Sequence, residues 1–182
     1  MLGLQKDFLF EDLRVISFLN MSEEEKEIVR NCRNHETIRK WMYSDSIISP
    51  EEHSNFIKSL RSNDRNYYWL VQKGHEYIGV ISLNKIDSKN KNAYLGIYSN
   101  PYCKIKDKGS LLIECLKKLA FDTVKLHTLK LEVMCKNEKA INFYKKSGFE
   151  EEGRLRGFIL KDNNWHDMII MGIIEGENVH GT

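Results

Sequence analysis

The chain has few of the residues that break, bridge or anchor a fold. Only 2 of its 182 residues are proline, and its 4 cysteines (Cys32, Cys103, Cys115 and Cys135) form no C-x-x-C pair. No apolar run approaches the roughly 20 residues that a membrane-spanning helix needs, and no secretory signal pattern precedes the first cysteine. These absences argue against a disulfide-stabilised or membrane protein and predict a cytoplasmic protein with reduced thiols.

The charged residues indicate neither a metal nor a polyanionic partner. The net charge is +2, from 28 basic and 26 acidic residues, so no strong field directs the chain to nucleic acid or to a membrane surface. Lysine clusters at 85–91 and 104–108 lack the interleaved aromatic residues of nucleic-acid-binding surfaces. The 6 histidines are dispersed, without metal-ligand spacing. We therefore expect no metal, no nucleic-acid partner and no membrane partner.

Apolar periodicity and turn signals predict one α/β domain spanning 1–182, with a core at about 8–174 and a polar tail at 175–182. Ser22 with Glu25 forms a capping-box pattern, and Ser49-Pro50-Glu51-Glu52 is a second helix start. Further helices are predicted at 35–43, 109–124 and 137–147. Strands are predicted at 8–19, 67–73, 77–86, 93–99, 129–134, 149–160 and 165–174. This order gives a mixed sheet with helices on both faces.

The stretch 131–153, LEVMCKNEKAINFYKKSGFEEEG, carries the most specific pattern in the chain. An alternating strand leads to a helix N-cap at Asn137, apolar residues repeat at helical spacing, and Gly148 ends the helix before a new strand. Each residue alone is explained as a cap or as core. The full order resembles the acyl-CoA motif of the GNAT family of N-acetyltransferases, and the resemblance covers about residues 8–174.

The resemblance implies the GNAT acyl-CoA N-acyltransferase fold, a central mixed sheet of about seven strands flanked by helices. In this family two neighbouring strands splay apart, and the cosubstrate acetyl-CoA lies in the gap. Backbone groups of the first splayed strand, here 94–98, bind the pantetheine amides as a missing strand would. The implied cofactor-binding residues are Ile97, Tyr98, Lys104, Lys108, Gly109, Ser110, Asn137 and Phe143.

The phosphate-binding loop departs from the family pattern R/Q-x-x-G-x-G/A. The matching residues are KIKDKG at 104–109, in which Asp107 stands at the first glycine position and only Gly109 is retained. A helix N-terminus still suits an anion, and Lys104 and Lys108 supply positive charge. A capped helix start with exposed lysines is the alternative, and which residues contact phosphate stays open.

Acetyl transfer to an amine requires a neutral nucleophile and a proton for the departing thiolate. An ammonium with a pKa near ~10.4 must lose its proton first, so a base is useful. The resemblance implies that Tyr144 is the general acid. Glu132 is the first candidate for the base, with a solvent-facing strand glutamate as the alternative, and Ser82 and Tyr98 are candidate water relays. No Cys–His–Asp arrangement is evident, which favours direct transfer over an acyl-enzyme.

The stretch from Cys32 to Ile57 resembles the acceptor-side helices of the family. With Asn84, Lys85 and the motif above, it resembles the branch that acetylates the 4-amino group of UDP-4-amino-4,6-dideoxy-N-acetyl-β-L-altrosamine in pseudaminic acid biosynthesis, a step towards flagellin glycosylation. Arg and Lys side chains suit the diphosphate, amide and imidazole groups suit uracil or ribose, and apolar faces suit the base and the 6-methyl group. The implied substrate-binding residues are Arg33, Asn34, Met42, Tyr43, His53, Phe56, Asn84 and Lys85.

Purely structural roles remain open for these residues. Met42 and Phe56 are spaced like helix core, His53 suits helix packing, and Arg33 suits a helix C-terminus. Other functions also remain: an acetyltransferase for ribosomal-protein N-termini, peptides or small amines, or a catalytically silent acyl-CoA-binding module, which the altered glycine loop favours. The protein is expected to be a monomer or a homodimer.

Overall fold

A computed structural model describes residues 3–176 of the chain. Within these residues lie eight strands: β1 (Phe8–Phe10), β2 (Leu13–Ser17), β3 (Tyr67–Lys73), β4 (Glu76–Asp87), β5 (Asn92–Ser99), β6 (Thr128–Met134), β7 (Glu150–Lys161) and β8 (Asn164–Ile174). The helices are α1 (Glu23–Asn34), α2 (Glu36–Arg39), α3 (Pro50–Ser59), α4 (Lys108–Lys117) and α5 (Glu138–Lys146). Of the predicted polar tail at 175–182, the structure describes residues 175 and 176, and residues 177–182 lie outside the described part.

The predicted helix starts are confirmed in detail. The Ser22 hydroxyl accepts the backbone N–H of Glu25 while the Glu25 carboxylate accepts that of Ser22, and Ser49 with Glu52 repeats the arrangement at α3. These reciprocal bonds satisfy amides that have no partner within the helix. Local chemistry therefore fixes where both acceptor-side helices begin.

Two predicted boundaries were wrong, and one predicted helix changes type along its length. The strand expected at 8–19 is two strands, β1 and β2, because the chain reverses at Glu11, whose φ is +55°. The helix expected at 35–43 ends at Arg39. The long helix expected to reach 124 is α-helical only to Lys117 and continues as a π-helical segment, closed by Val124 N–H donating to the carbonyl of Leu119 at 2.9 Å.

The sheet has the order β1-β2-β3-β4-β5-β6-β8-β7 and is mixed, because β5 and β6 are parallel while the other neighbours are antiparallel. Alternate residues of each strand face opposite sides. On β4, Ile81 joins the larger core, which includes α4 and α5 residues, and Val80 joins a second core with Val29 of α1 and Ile57 of α3. Helices thus cover both faces, as predicted. In the described chain, no helix combines the length and apolar character needed to cross a bilayer.

The sheet opens between β5 and β6. The two strands pair only at Asn92–Thr128, Ala93–Leu129 and Tyr94–Lys130 within residues 3–176, although each strand continues for four or five residues beyond. Beyond Tyr94, β5 keeps its pairing with β4, and β6 keeps its pairing with β8. The gap therefore widens towards the ends of the strands, where α4 and α5 begin.

Candidate active site

The gap leaves one backbone edge of β5, from Leu95 to Ser99, without a neighbouring strand in the described residues. An extended molecule with amide groups can pair with such an edge as an added strand. The predicted Ile97 and Tyr98 lie on this edge and on opposite faces: Ile97 packs against the larger core and Tyr98 against the second core. Burial raises the pKa of the Tyr98 phenol. The edge fits the pantetheine arm of an acyl-CoA.

The phosphate loop keeps its geometry despite the missing glycine. Asp107 adopts the left-handed conformation that favours glycine, with φ +55° and ψ +26°, immediately before α4. Helix geometry leaves the first-turn amides of α4, at Lys108, Gly109 and Ser110, without helical acceptors, so they suit an anionic oxygen. The residues present therefore fit the diphosphate of coenzyme A, with an aspartate where the family has glycine.

The two predicted lysines of this loop differ in availability. The Lys108 ammonium donates to the carbonyls of Asn100 at 2.8 Å and Cys103 at 2.6 Å, which stabilises the loop. Lys104 has an exposed side chain, and its backbone N–H donates to the carboxylate of Glu76 at 3.2 Å. Lys104 is thus the freer cation for a phosphate.

Phe143 and Asn137 have structural contacts beside their predicted cofactor roles. A Cβ at Gly109 would lie 3.2 Å from Cε2 of Phe143, so this glycine allows α4 to approach α5. The Asn137 side chain caps α5 by accepting the N–H of Ala140 at 3.2 Å. Asn137 thus fixes the start of α5, and Phe143 packs the second half of α5 against the start of α4.

Tyr144 has the properties of a proton donor. Its ring makes edge contacts with Phe143 and Phe149, at centroid distances of 5.3 and 5.7 Å. Burial raises the pKa of the phenol to about 12, so it stays protonated at neutral pH. Its hydroxyl has no hydrogen-bond partner within residues 3–176. The phenol is therefore available to a group that enters the gap.

Glu132 lies on β6 on the face opposite buried Leu131 and Val133, as predicted. Its carboxylate accepts a hydrogen bond from the hydroxyl of Tyr43 and lies 3.9 Å from the ammonium of Lys85. The Glu132 side chain is only 14% exposed, and burial raises its pKa. Three residues predicted separately, as base and as acceptor contacts, are thus brought together.

A polar group of β4 and β5 extends this face of the sheet. The Asn84 amide donates to the Ser82 hydroxyl at 2.9 Å, and Ser82 lies against the carbonyl of Gly96 at 3.5 Å. The Asn84 Oδ1 atom is buried and has no partner in the described chain. An unpaired buried acceptor is costly, so Asn84 is ready to bind a donor on a substrate.

The segment 40–49, called here the acceptor loop, joins α2 to α3. Arg33 donates to the carbonyl of Ser44 at 2.9 Å, and its Nη1 is buried without a partner in residues 3–176. Burial lowers the pKa of the Arg33 guanidinium. Arg33 therefore anchors the loop and retains one free donor.

Two predicted acceptor contacts have other roles in the structure. Both atoms of the Asn34 amide bond the backbone of Ile48, at 2.9 and 2.8 Å. His53 is 6% exposed, packs edge-on against Phe18, and its pKa is lowered by burial. His53 therefore has the helix-packing role that the sequence offered as the alternative, and Asn34 fixes the acceptor loop.

The remaining acceptor residues are partly accessible. Tyr43 and Phe56 are exposed, Phe56 against the ring of Tyr68 at 5.1 Å, and Met42 is partly buried. The Lys85 ammonium lies 4.7 Å from the ring centroid of Tyr94. Tyr94 was not predicted as a site residue, although its alternation with Gly96 and Tyr98 on β5 could have indicated this face.

A mixed sheet that opens between two parallel strands, followed by a helix whose N-terminus lacks a side-chain cap and by a helix that carries a partly buried tyrosine, is the arrangement of an acyl-CoA N-acyltransferase. A family model described as an acetyltransferase (GNAT) domain matches residues 22–170. The chain belongs to the GNAT acetyltransferase family: it is an N-acetyltransferase, and acetyl-CoA is its acetyl donor. No group of three or more potential metal-binding side chains occurs in the described residues.

Two relatives illustrate the range of similarity. Acetyltransferase PseH of Campylobacter jejuni is 31% identical over 137 residues, 75% of this chain and 84% of the relative. The crystal structure of C. jejuni PseH with acetyl coenzyme A has a TM-score of 0.68 at 25% identity, covering 90% of this chain and 99% of that one. Spermidine N-acetyltransferase of Vibrio cholerae, in complex with CoA and spermine, has a TM-score of 0.81 at 21% identity, covering 91% and 96%.

Proposed function

We propose that this enzyme acetylates the 4-amino group of a UDP-4-amino-4,6-dideoxy-N-acetylhexosamine, UDP-4-amino-4,6-dideoxy-β-L-AltNAc, as a step in pseudaminic acid biosynthesis. The proposal is supported by the 31% identity to PseH and by the charge of the acceptor side. The observation that carries it is the ion pair between the carboxylate of Glu132 on β6 and the ammonium of Lys85 on β4. Arg33 adds a buried donor nitrogen, Nη1, without a partner in residues 3–176.

The charges favour an anionic acceptor that carries a single reactive amine. Arg33 has a buried donor without a partner in residues 3–176, and Lys85 has a 65% exposed side chain. Both suit the oxygens of a diphosphate. A polyamine, with several positive charges, would be repelled by the same two cations. The unpaired Asn84 Oδ1 adds a polar acceptor for an N–H or O–H of the sugar or base.

The residues of the site have distinct proton-transfer roles in the proposed reaction. Bound acetyl-CoA supplies an acetyl group activated as a thioester. Glu132 accepts the proton of the acceptor ammonium, directly or through water held by Ser82. The neutral nitrogen forms the C–N bond as the C–S bond breaks, and Tyr144 gives its phenolic proton to the departing sulfur. The second amine proton and the proton held by Glu132 pass to solvent, and Tyr144 recovers its proton from solvent; no residue becomes acetylated.

A polyamine or other small amine is the second candidate acceptor. Its support is the fold likeness to the V. cholerae spermidine enzyme and the 23% identity to the spermidine N(1)-acetyltransferase of that organism over 150 residues. Peptide N-termini and a catalytically silent acyl-CoA-binding module are further alternatives. The partly buried phenol of Tyr144 and the carboxylate of Glu132, whose pKa values are both raised by burial, argue against the silent module.

One assay separates these candidates. The protein is incubated with acetyl-CoA and, in turn, with UDP-4-amino sugars, spermidine and ribosomal N-terminal peptides, and free thiol release is followed. We expect turnover on the UDP-4-amino sugar, and at least a tenfold lower kcat/KM for Glu132→Gln. Glu23→Gln, an exposed helix residue paired with Lys26, is the matched control. Turnover on spermidine or peptides but not on the nucleotide sugar overturns the substrate assignment.

A further inference from the structure

The acceptor loop contains no helix or strand and is held by side chains. From Tyr43 onwards its carbonyls are bound by Arg33 at Ser44, by Arg39 at Asp45 and by Arg30 at Ile48. Its first turn is bound differently, by a residue that comes from the far end of the chain. That residue is Lys161, the last residue of β7.

The Lys161 ammonium donates to three carbonyls at the C-terminal end of α2. It lies 2.7 Å from the oxygen of Lys40, 3.2 Å from that of Met42 and 3.4 Å from that of Arg39. An ammonium has three N–H donors, and a cation at a helix C-terminus is favourable. The Lys161 side chain is only 8% exposed, with Asp45 as an acidic neighbour at 4.0 Å.

The backbone holds Lys161 firmly in this position. Lys161 pairs with Asn164 across a two-residue turn, and both turn residues, Asp162 and Asn163, have positive φ. Such turns match the twist of the paired strands. The ammonium therefore enters the acceptor loop from a rigid hairpin, whereas the loop itself has few backbone hydrogen bonds.

The residue next to the bound carbonyl of Met42 is Tyr43, whose hydroxyl donates to Glu132. We propose that Lys161 is a positioning residue, which fixes the acceptor loop so that Tyr43 stays hydrogen-bonded to the carboxylate of Glu132. The consequence for the reaction rests on the proposed function, in which Glu132 accepts the proton of the acceptor amine. Lys161 itself touches neither substrate.

Several side chains face Glu132, and a test of Lys161 must leave them unchanged. Tyr43 approaches from the acceptor loop and Lys85 from β4, while the β8 neighbour in register is apolar Ile170. On β6 itself, Lys130 is paired with Glu152. A change at Lys161 leaves all of these groups in the chain, so its effect on Glu132 has two sources, the loss of the Tyr43 hydrogen bond and the loss of the Lys161 charge. Only the first source disappears when Tyr43 is changed as well.

The test is a double-mutant cycle read by the titration of Glu132, followed by ¹³C NMR of its carboxyl carbon. A hydrogen bond to the ionised form lowers a carboxyl pKa. We therefore expect Tyr43→Phe to raise the measured pKa by about one unit, and Lys161→Met to raise it in the same direction. Lys161→Met should add a smaller shift in the Tyr43→Phe background than in the wild type. Lys161→Arg, which keeps the charge and the donors, should restore most of the wild-type value.

The controls separate position from general destabilisation. Lys73→Met removes a lysine paired with Asp12 between β2 and β3 and should leave the Glu132 titration unchanged. If Lys161→Met does not fold, Lys161→Gln, which keeps one donor, takes its place in the cycle. An unchanged Glu132 pKa in a folded Lys161 variant overturns the proposal, as does an effect that adds fully to that of Tyr43→Phe.

A kinetic measurement links the position to the reaction. Lys161→Met should raise the KM for the acceptor amine several-fold and leave the KM for acetyl-CoA unchanged. An equal rise in both constants contradicts a role confined to the acceptor loop. The titration of Glu132 needs no substrate, whereas the proposed function is tested by the choice of acceptor. Failure of this inference is therefore distinguishable from failure of the proposed function.

Discussion

Gly109 at the start of α4 faces the ring of Phe143 on α5 so closely that a Cβ would stand 3.2 Å from the ring carbon Cε2 and 3.3 Å from Cζ. This contact packs the start of α4 against the second half of α5. The retained glycine of the phosphate loop is therefore needed for packing as well as for access of an anion to the backbone amides.

We expect Gly109→Ala to raise the KM for acetyl-CoA several-fold with a smaller effect on kcat. The added methyl group must move α4 or the Phe143 ring by a few tenths of an ångström, which displaces the first-turn amides. The measurement is steady-state kinetics with acetyl-CoA varied. Gly153→Ala, at a glycine of β7 where an added Cβ would meet nothing within 4 Å, is the matched control. A KM for acetyl-CoA as low as in the wild type would contradict the packing argument.

Tyr144→Phe should lower kcat at least tenfold with little change in affinity for acetyl-CoA. The ring contacts with Phe143 and Phe149 are kept, whereas the proton donor for the departing sulfur is removed. Thiol release gives kcat, and calorimetric titration with CoA gives affinity. Tyr102→Phe, at an exposed tyrosine, should have no effect. Unchanged turnover in Tyr144→Phe would remove the acid assignment.

Local signals explain why much of the fold could be predicted. Capping residues such as Ser22 with Glu25, and the order from Asn137 to Gly148, act within a few positions and leave a pattern in the sequence. The reversal at Glu11 has no such pattern, since its positive φ occurs without glycine. The strand expected at 8–19 was wrong for that reason.

The site was predictable only in part because its contacts join distant residues. Tyr43 and Glu132 are 89 positions apart, and Lys161 and Lys40 are 121 apart. The sequence gives the chemical type of each residue but not its partner. The resemblance to the family assigned Tyr43 and Glu132 to the site. Nothing in the sequence around Lys161 indicates that its ammonium binds carbonyls of the acceptor loop.

The free energy of unfolding should fall as pH rises from about 10 to about 12. Burial raises the pKa of Tyr144 to about 12, against the ordinary value of 10, so the folded state retains a proton that the unfolded state loses in this window. Below about pH 10 both states are protonated and Tyr144 adds no pH dependence. Burial raises the pKa of Tyr68 and Tyr98 as well, with the same sign.

Urea unfolding at intervals above pH 9 measures this dependence. Tyr144→Phe should reduce the decline, because it removes one of the groups responsible, and Tyr102→Phe should leave it unchanged. An identical decline in Tyr144→Phe and the wild type would mean that the phenol titrates in the folded state as it does in the unfolded chain.

Asp107 provides the sharpest test of the phosphate loop, because two changes separate its charge from its backbone conformation. The Asp107 carboxylate lies one residue before α4, at the helix N-terminus that suits the diphosphate of the cofactor. Its negative charge repels that diphosphate. Its φ of +55° is a conformation that asparagine and glycine adopt more readily than most residues. Asp107→Asn therefore removes the charge and keeps the turn, while Asp107→Gly removes the charge and relaxes the turn.

We expect both variants to lower the KM for acetyl-CoA, and Asp107→Gly also to raise the melting temperature, since it relieves the left-handed conformation at a residue whose side chain caps nothing in α4. The reduction in KM should shrink as salt is raised, because the repulsion between Asp107 and the diphosphate is screened. Asp64→Asn, in the turn before β3, is the control for a general change of charge. An unchanged or higher KM in Asp107→Asn would mean that the diphosphate of acetyl-CoA does not lie at the start of α4.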